Sequence, residues 1–184
     1  MMIGGTVSAQ IDAAILIPDV SPPKAAEMRP WVRLTDGERV SEWIPKGVYN
    51  IDTRSQEADG SGIEALHMHG YDAMMRAEAD FPAVSHDWPA TDRRVVQDIA
   101  AAMGVELDAR TLPIIDRGFQ ISFPGTRSMR EVLGYIGVMY AGCWVMSDEG
   151  RLRLVQIAAI PPDESLLTDE DGNVITVGGV AIEI

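Results

Sequence analysis

Alternation opens the chain. Val7, Ala9, Ile11, Ala13, Ile15 and Ile17 fall on every second position of "TVSAQIDAAILI", which predicts a half-buried strand from Thr6 to Ile17. The four prolines of "IPDVSPPKAAEMRP" then mark a loop. Further strands are predicted at Trp31 to Leu34, Lys46 to Thr53 and Gly62 to His69, separated by the turn-rich "TDGE" and "SQEADGSG". The first 70 or so residues therefore read as all-β, at the strand spacing of a barrel or sandwich. Good helix formers in "YDAMMRAEADF" predict a short helix from Asp72 to Glu78, closed off by Pro82 and Pro89 in "FPAVSHDWP".

A second texture follows. Thr91 is placed to cap a helix whose Val95, Val96, Ile99, Ala100 and Met103 share one face, with Gly104 as its stop. A strand is expected at "FQISF" (Phe119 to Phe123). Ser128 and Glu131 make an S-x-x-E capping box, in which each side chain satisfies an unpaired amide near the other. The helix it starts carries Met129, Val132, Leu133, Ile136 and Tyr140 at spacings of three and four, and Gly142 is read as its end. "CWVM" and "RLRLV" flank "SDEG", whose Gly150 supplies the positive φ of a tight hairpin. From Gln156 onward there are six acids and no base, and another turn and strand are expected around Asp171 and Gly172. A chain ending on the alternating "VAIEI" has no obvious closing element, so it is expected to be cut from something longer.

Composition narrows the functional classes. With 184 residues the chain is long enough for one large or two small domains. Its 15 basic and 28 acidic residues, net −13, argue against binding nucleic acid, where Lys and Arg must neutralise phosphates. Cys143 is the one cysteine and lies in the apolar run "YAGCWVM", so it reads as a buried core thiol with no intrachain disulfide. No stretch approaches the roughly 20 apolar residues of a membrane span, and "MMIGGTVSAQ" lacks the basic and apolar regions of a signal peptide. Synthesis in the cytosol, without a membrane anchor, is the expectation.

Candidate chemistry is sparse. His67 and His69 would leave one face of a strand, and with His86 could imitate a three-histidine zinc site, but solvent-facing strand histidines are the favoured reading. Asp72, Glu78 and Asp80 could supply paired carboxylates for glycoside hydrolysis, against which stands plain solvation of a helix surface. Asp169, Asp171 and Asn173 suggest a calcium loop, yet its glycine sits at position four instead of six, and position twelve is Val180 instead of Glu. Trp31, Trp43, Trp88 and Trp144 could form a sugar-binding platform, but Trp144 is expected in the core and Trp88 as a staple for the helix after it. No G-x-S-x-G, P-loop or G-x-G-x-x-G occurs, and "GSG" at Gly60 to Gly62 is turn material. No catalytic, cofactor-binding or metal residues are assigned.

Taken in order, "EMRPWVRLTDGERVSEWIPKGVYNIDTR", "GYDAMMRAEADFP", "WPATDRRVVQDIAAAMGV" and "TRSMREVLGYIGVMYAGCWVMSDEGRLRLV" resemble a family of phage and prophage tail proteins, the tail hub or tail-tip proteins related to the baseplate hub of contractile tails. The resemblance spans roughly Ile3 to Val155. Its most specific pieces are "GVYNID", "GYDAM" and "REVLGYIGVMYAG" followed by "SDEGRLRLV". It implies an α+β, mainly β chain, in which β-barrel strands carry a small inserted helix-plus-hairpin domain. Residues 1–81 would be a partial barrel, 82–157 the α/β insert, and 158–184 a return to the barrel, the whole a fragment or reduced form of a hub. It also implies a structural protein and not an enzyme: a homotrimeric ring at the virion tail tip, assembled in the bacterial cytoplasm, contacting tail tube, distal tail and tape-measure proteins. The competing classes are a cell-wall hydrolase, which predicts a cleft with poised carboxylates or a metal, and a host-surface carbohydrate-binding module, which predicts coplanar exposed tryptophans. A hub predicts an unsatisfied strand edge instead.

Overall fold

The computed structural model describes residues 3–16, 22, 23, 25–58, 64–157, 176, 177, 180 and 181. The chain is α+β and mainly β, with a sheet curled into a half-barrel. Its strands begin with β1 (Gln10–Leu16) and β2 (Glu27–Met28). Next come four two-residue strands, β3 (Trp31–Val32), β4 (Thr35–Asp36), β5 (Arg39–Val40) and β6 (Ile44–Pro45), followed by the long β7 (Tyr49–Ala58) and β8 (Glu64–Tyr71). The sheet order is β1-β8-β7-β2, antiparallel throughout. Alternation decides which side of β8 is buried: Leu66 and Met68 are, and His67 between them is exposed. Ala13 lies across from Met68, and Ala14 across from His67.

A helical layer and a second hairpin hold the main core. They comprise β9 (Ala90–Thr91), α1 (Asp92–Met103), β10 (Gln120–Ile121), α2 (Met129–Met139), β11 (Gly142–Met146) and β12 (Leu152–Gln156). Thr91 caps α1 by accepting the Arg94 amide at 3.3 Å, and Gly104 ends it in the left-handed region at φ 69°. Both halves of the Ser128–Glu131 capping box form. Val95, Val96, Ile99 and Met103 of α1 and Leu133 and Ile136 of α2 are fully buried, with Trp144, Leu152 and Leu154 of the β11–β12 hairpin in the same cluster. Burial of a side chain of this size contributes about 1.5–3 kcal/mol, so these two apolar faces and the hairpin dominate what holds the layer. β13 (Thr176–Val177) and β14 (Val180–Ala181) pair with each other.

Several expectations shift. Asp72 to Glu78 does not form an α-helix: Ala73–Glu78 is a 3-10 helix, capped by Asp72, whose carboxylate accepts the Met74 amide at 3.0 Å. Of Trp31 to Leu34 only Trp31 and Val32 are strand, because they pair with Pro45 and Ile44 and not with the main sheet. The expected strand at Phe119 to Phe123 shrinks to Gln120–Ile121, limited by its two-residue partner β9. Helix α2 ends before Gly142. Ala141 takes the left-handed turn at φ 49°, while Gly142 already pairs in β11, where a Cβ would stand 2.8 Å from the Val155 carbonyl oxygen. Ile17, the rest of the proline loop up to Ser21, "GSG", the first residues of the Gly62 strand and the Asp169–Asp171–Asn173 turn lie outside the described residues.

Candidate functional site

Residues 29–46 form an arm. Its sequence, "RPWVRLTDGERVSEWIPK", is a hairpin with apolar residues either side of an Asp-Gly turn. Gly37 adopts φ 61° in the two-residue loop between β4 and β5, and the Leu34 and Ser41 backbones hold the strands together farther down, Ser41 N donating to Leu34 O at 2.9 Å. At the base, Lys46 N donates to Pro30 O at 2.9 Å. Two-stranded hairpins are marginal alone because they bury little. This one leaves Trp31 53%, Leu34 70% and Trp43 57% exposed, and the Arg33 guanidinium lies 4.8 Å over the Trp43 ring. Exposed apolar residues are thus gathered on one small element. Four bases and three acids leave the arm at +1, whereas the other 11 bases and 25 acids leave the remainder of the chain at −14.

The sheet that bears the arm also has an open side. β1 pairs with β8 on one edge only, and among the described residues no strand pairs its outer edge. Leu16 on this strand is 72% exposed. The outer side of β7 is partly closed: β2 pairs with Tyr49 and Asn50, Ile51 N donates to Ala26 O at 3.1 Å, and Arg54 reaches the Pro22 carbonyl. An unpaired strand edge is a template for strand addition by another chain.

Arg76 ties this sheet to the helical layer, and Arg130 ties α2 to the 3-10 helix. Arg76 donates to Asn50 Oδ1 and to the Met103 carbonyl, each at 2.8 Å, spanning the gap between β7 and the end of α1. Beside it lies a cleft of about 380 Å³ lined by Glu27, Arg29, Arg76, Glu106, Glu149 and Arg151 among others, acids and bases in equal number. Arg130 on α2 pairs with Glu78 at 2.7 Å and donates to the Met74 carbonyl at 3.2 Å.

Of the carboxylates read as possible hydrolytic groups, Asp72 is engaged in holding the backbone and Glu78 in an ion pair. Asp72 is buried and accepts amides from Ala9 at 2.9 Å and Met74 at 3.0 Å. Burial raises its pKa, opposed by those amides and by Arg130. Glu78 is paired with Arg130, and the Asp80 backbone bridges to Ser128. A polar contact in the core is structural as well: Tyr140 donates its hydroxyl to the fully buried Asp92, and burial, followed by that side chain, pushes the phenol up.

The histidines do not assemble as three. His67 and His69 share a face of β8, with His69 Nδ1 2.7 Å from Asp12 Oδ1. His86 is held elsewhere, Nε2 2.7 Å from Asp98 Oδ2 on α1 and Nδ1 3.1 Å from the Asp87 carbonyl. Among the described residues no three His, Cys, Asp or Glu side chains converge on one point. The tryptophans also divide. Trp144 is fully buried, and Trp88 packs against Phe81, Phe123 and His86 instead of stapling α1, whose position before the cap is Ala90. Trp31 and Trp43 are the exposed pair, and both belong to the arm. Cys143 is buried, and burial raises its thiol pKa.

Among solved structures, the chain is similar to the 43 kDa tail protein of prophage MuSo2 from Shewanella oneidensis, with a TM-score of 0.53 over 86% of this chain and 47% of that one, at 11% identity. The chain thus spans about half the length of that protein. No family model and no curated protein matches it. At this identity the likeness is one of fold, and the mainly β chain with its curled sheet and helical layer has the fold of part of a prophage tail protein.

Proposed function

We propose that this chain is a structural component of a phage or prophage tail, acting by assembly and not by catalysis, at the hub where the tail tube meets the distal tip. The observation that carries the reading is the fold shared with a prophage tail protein over 86% of the chain. The open outer edge of β1 and the exposed arm support it, since both are surfaces that association would cover.

In this reading residues 1–81 and 158–184 belong to a β-barrel, residues 82–157 to an insert, and three copies close a ring. The arm of one copy lies on the acidic surface of the next, its charge of +1 against the −14 of the remainder and its Trp31, Leu34 and Trp43 supplying the apolar contact. The tail tube, distal tail and tape-measure proteins are the further partners, and the ring sits at the virion tail tip after assembly in the bacterial cytoplasm. The histidine pair, the buried carboxylates and the buried thiol have no part in it. Light scattering over a concentration series tests the ring. A trimer is expected, with Trp31→Ser together with Trp43→Ser shifting it towards monomer. A strict monomer at every concentration contradicts the reading.

A further inference from the structure

We propose that His67 and His69 chelate one divalent transition-metal ion on the open face of the β1-β8-β7 sheet, with Asp12 as the residue that orients the chelate.

The placement follows from strand geometry. Residues two apart on a strand leave the same face with their Cα atoms about 7 Å apart. That spacing lets two imidazoles lean together on one ion at metal–nitrogen distances of about 2 Å. Both histidines stand on the central strand, β8, so neither side chain hangs over an edge. Their cross-strand neighbours are small: Ala14 and Ser55 flank His67, and Asp12 and Thr53 flank His69. The result is a depression of about 420 Å³ above the strands, lined by Asp12, Thr53, Ser55, His67 and His69 among others; Arg54 also borders it, with its guanidinium engaged by the Pro22 carbonyl. His67 is exposed within it.

Asp12 sets the chemistry of one ligand. A carboxylate accepts only, so the 2.7 Å contact between Asp12 Oδ1 and His69 Nδ1 places the proton on Nδ1. The lone pair is then on Nε2, and the carboxylate holds the ring's orientation, as the outer partners of metal-bound histidines do. The His69 ring is further fixed by an edge contact with Tyr71, centroids 4.8 Å apart at 89°. Two imidazoles and no thiolate suit Cu²⁺, Ni²⁺ or Zn²⁺, leaving the other coordination positions to water or to a donor from another molecule. His86 cannot contribute, because both its ring nitrogens are already engaged by Asp98 and Asp87.

The test is calorimetric titration of the tag-free chain with nickel chloride and with zinc chloride at pH 8, where free imidazole is neutral, together with the imidazole NMR signals of the three histidines. One ion per chain is expected, with the His67 and His69 signals shifting and His86 unmoved. His67→Ala or His69→Ala should weaken binding at least tenfold. Asp12→Asn should weaken it by about 10- to 100-fold, the usual effect of losing such an outer partner. His86→Ala should change nothing. Thermal melts of the metal-free variants check that each is folded: Asp12, His67 and His69 lie outside the main core, and His86 touches it through Asp98 and Trp88. Absence of binding, or binding that survives His67→Ala and His69→Ala, overturns the proposal.

Discussion

Replacing Ser128 by Ala removes half of the box that starts α2. The Ser128 hydroxyl accepts the Glu131 amide at 3.2 Å, while Glu131 Oε2 accepts the Ser128 amide at 2.8 Å. The substitution removes the first bond together with the 3.2 Å bond that the Ser128 hydroxyl donates to Glu131 Oε2, whereas the second uses the backbone of residue 128 and stays. Ser128 is half-buried, so the freed Glu131 amide regains water in part and the cost stays near the middle of the range for cap removal, about 1 kcal/mol. In a chain of this size, that lowers Tm by roughly 2–4 °C. Met129, Val132, Leu133 and Ile136 carry this helix into the core beside Trp144, so helix loss and core loss should occur in one transition. Far-UV circular dichroism and tryptophan fluorescence should therefore give the same lowered midpoint. Glu131→Gln, which keeps an acceptor at the third helical position, should fall between wild type and Glu131→Ala. An unchanged Tm for Ser128→Ala would refute the reasoning that this box holds the helix to the core.

Asp98, and after it the Asp87 carbonyl, raises the pKa of His86 above its ordinary 6.5. The stabilisation is complete below that ordinary value and fades as pH rises through the higher value of the folded chain. Denaturation midpoints of wild type and His86→Gln should therefore converge at high pH, and a gap that is the same at every pH contradicts the charged pair. Gly70 lies in β8 where a Cβ would stand 2.6 Å from the Asn50 carbonyl oxygen, next to the register slip at Asp52. Gly70→Ala should cost about 1–3 kcal/mol as the β7–β8 ladder shifts. Urea unfolding measures it, and a neutral result means the sheet yields there.

Much of the fold was legible because its signals are local. The alternation expected from Thr6 to Ile17 marks β1 only in part, since the strand runs from Gln10 to Leu16 and leaves Val7 and Ile15 exposed; the three-and-four spacing from Val95 to Met103 marks the buried face of α1, and Ser128 with Glu131 marks the start of α2. Where tertiary partners decide, the pattern misleads. The Asp72 to Glu78 stretch has α-helical composition, yet Asp72 must also accept the Ala9 amide, and a short 3-10 helix satisfies both demands. Gly142 looks like a helix stop because glycine favours such turns, but its lack of a Cβ serves the close approach of Val155 in the hairpin. The arm was missed as a unit although its signal is present: Trp31 and Val32 mirror Ile44 and Pro45 about "TDGE", and pairing the two flanks with each other identifies a hairpin. Its exposure is not written in any spacing. Solvent-facing tryptophans differ from buried ones such as Trp144 only in what the rest of the chain brings beside them.

The proposed function puts this chain inside the virion, at the tip of the tail. Immunogold labelling of intact particles, with antibody raised against the purified chain, checks that placement. Gold confined to the tail end distal to the head is the predicted result. Label that is absent from the particles, or distributed along the whole tube, would contradict it.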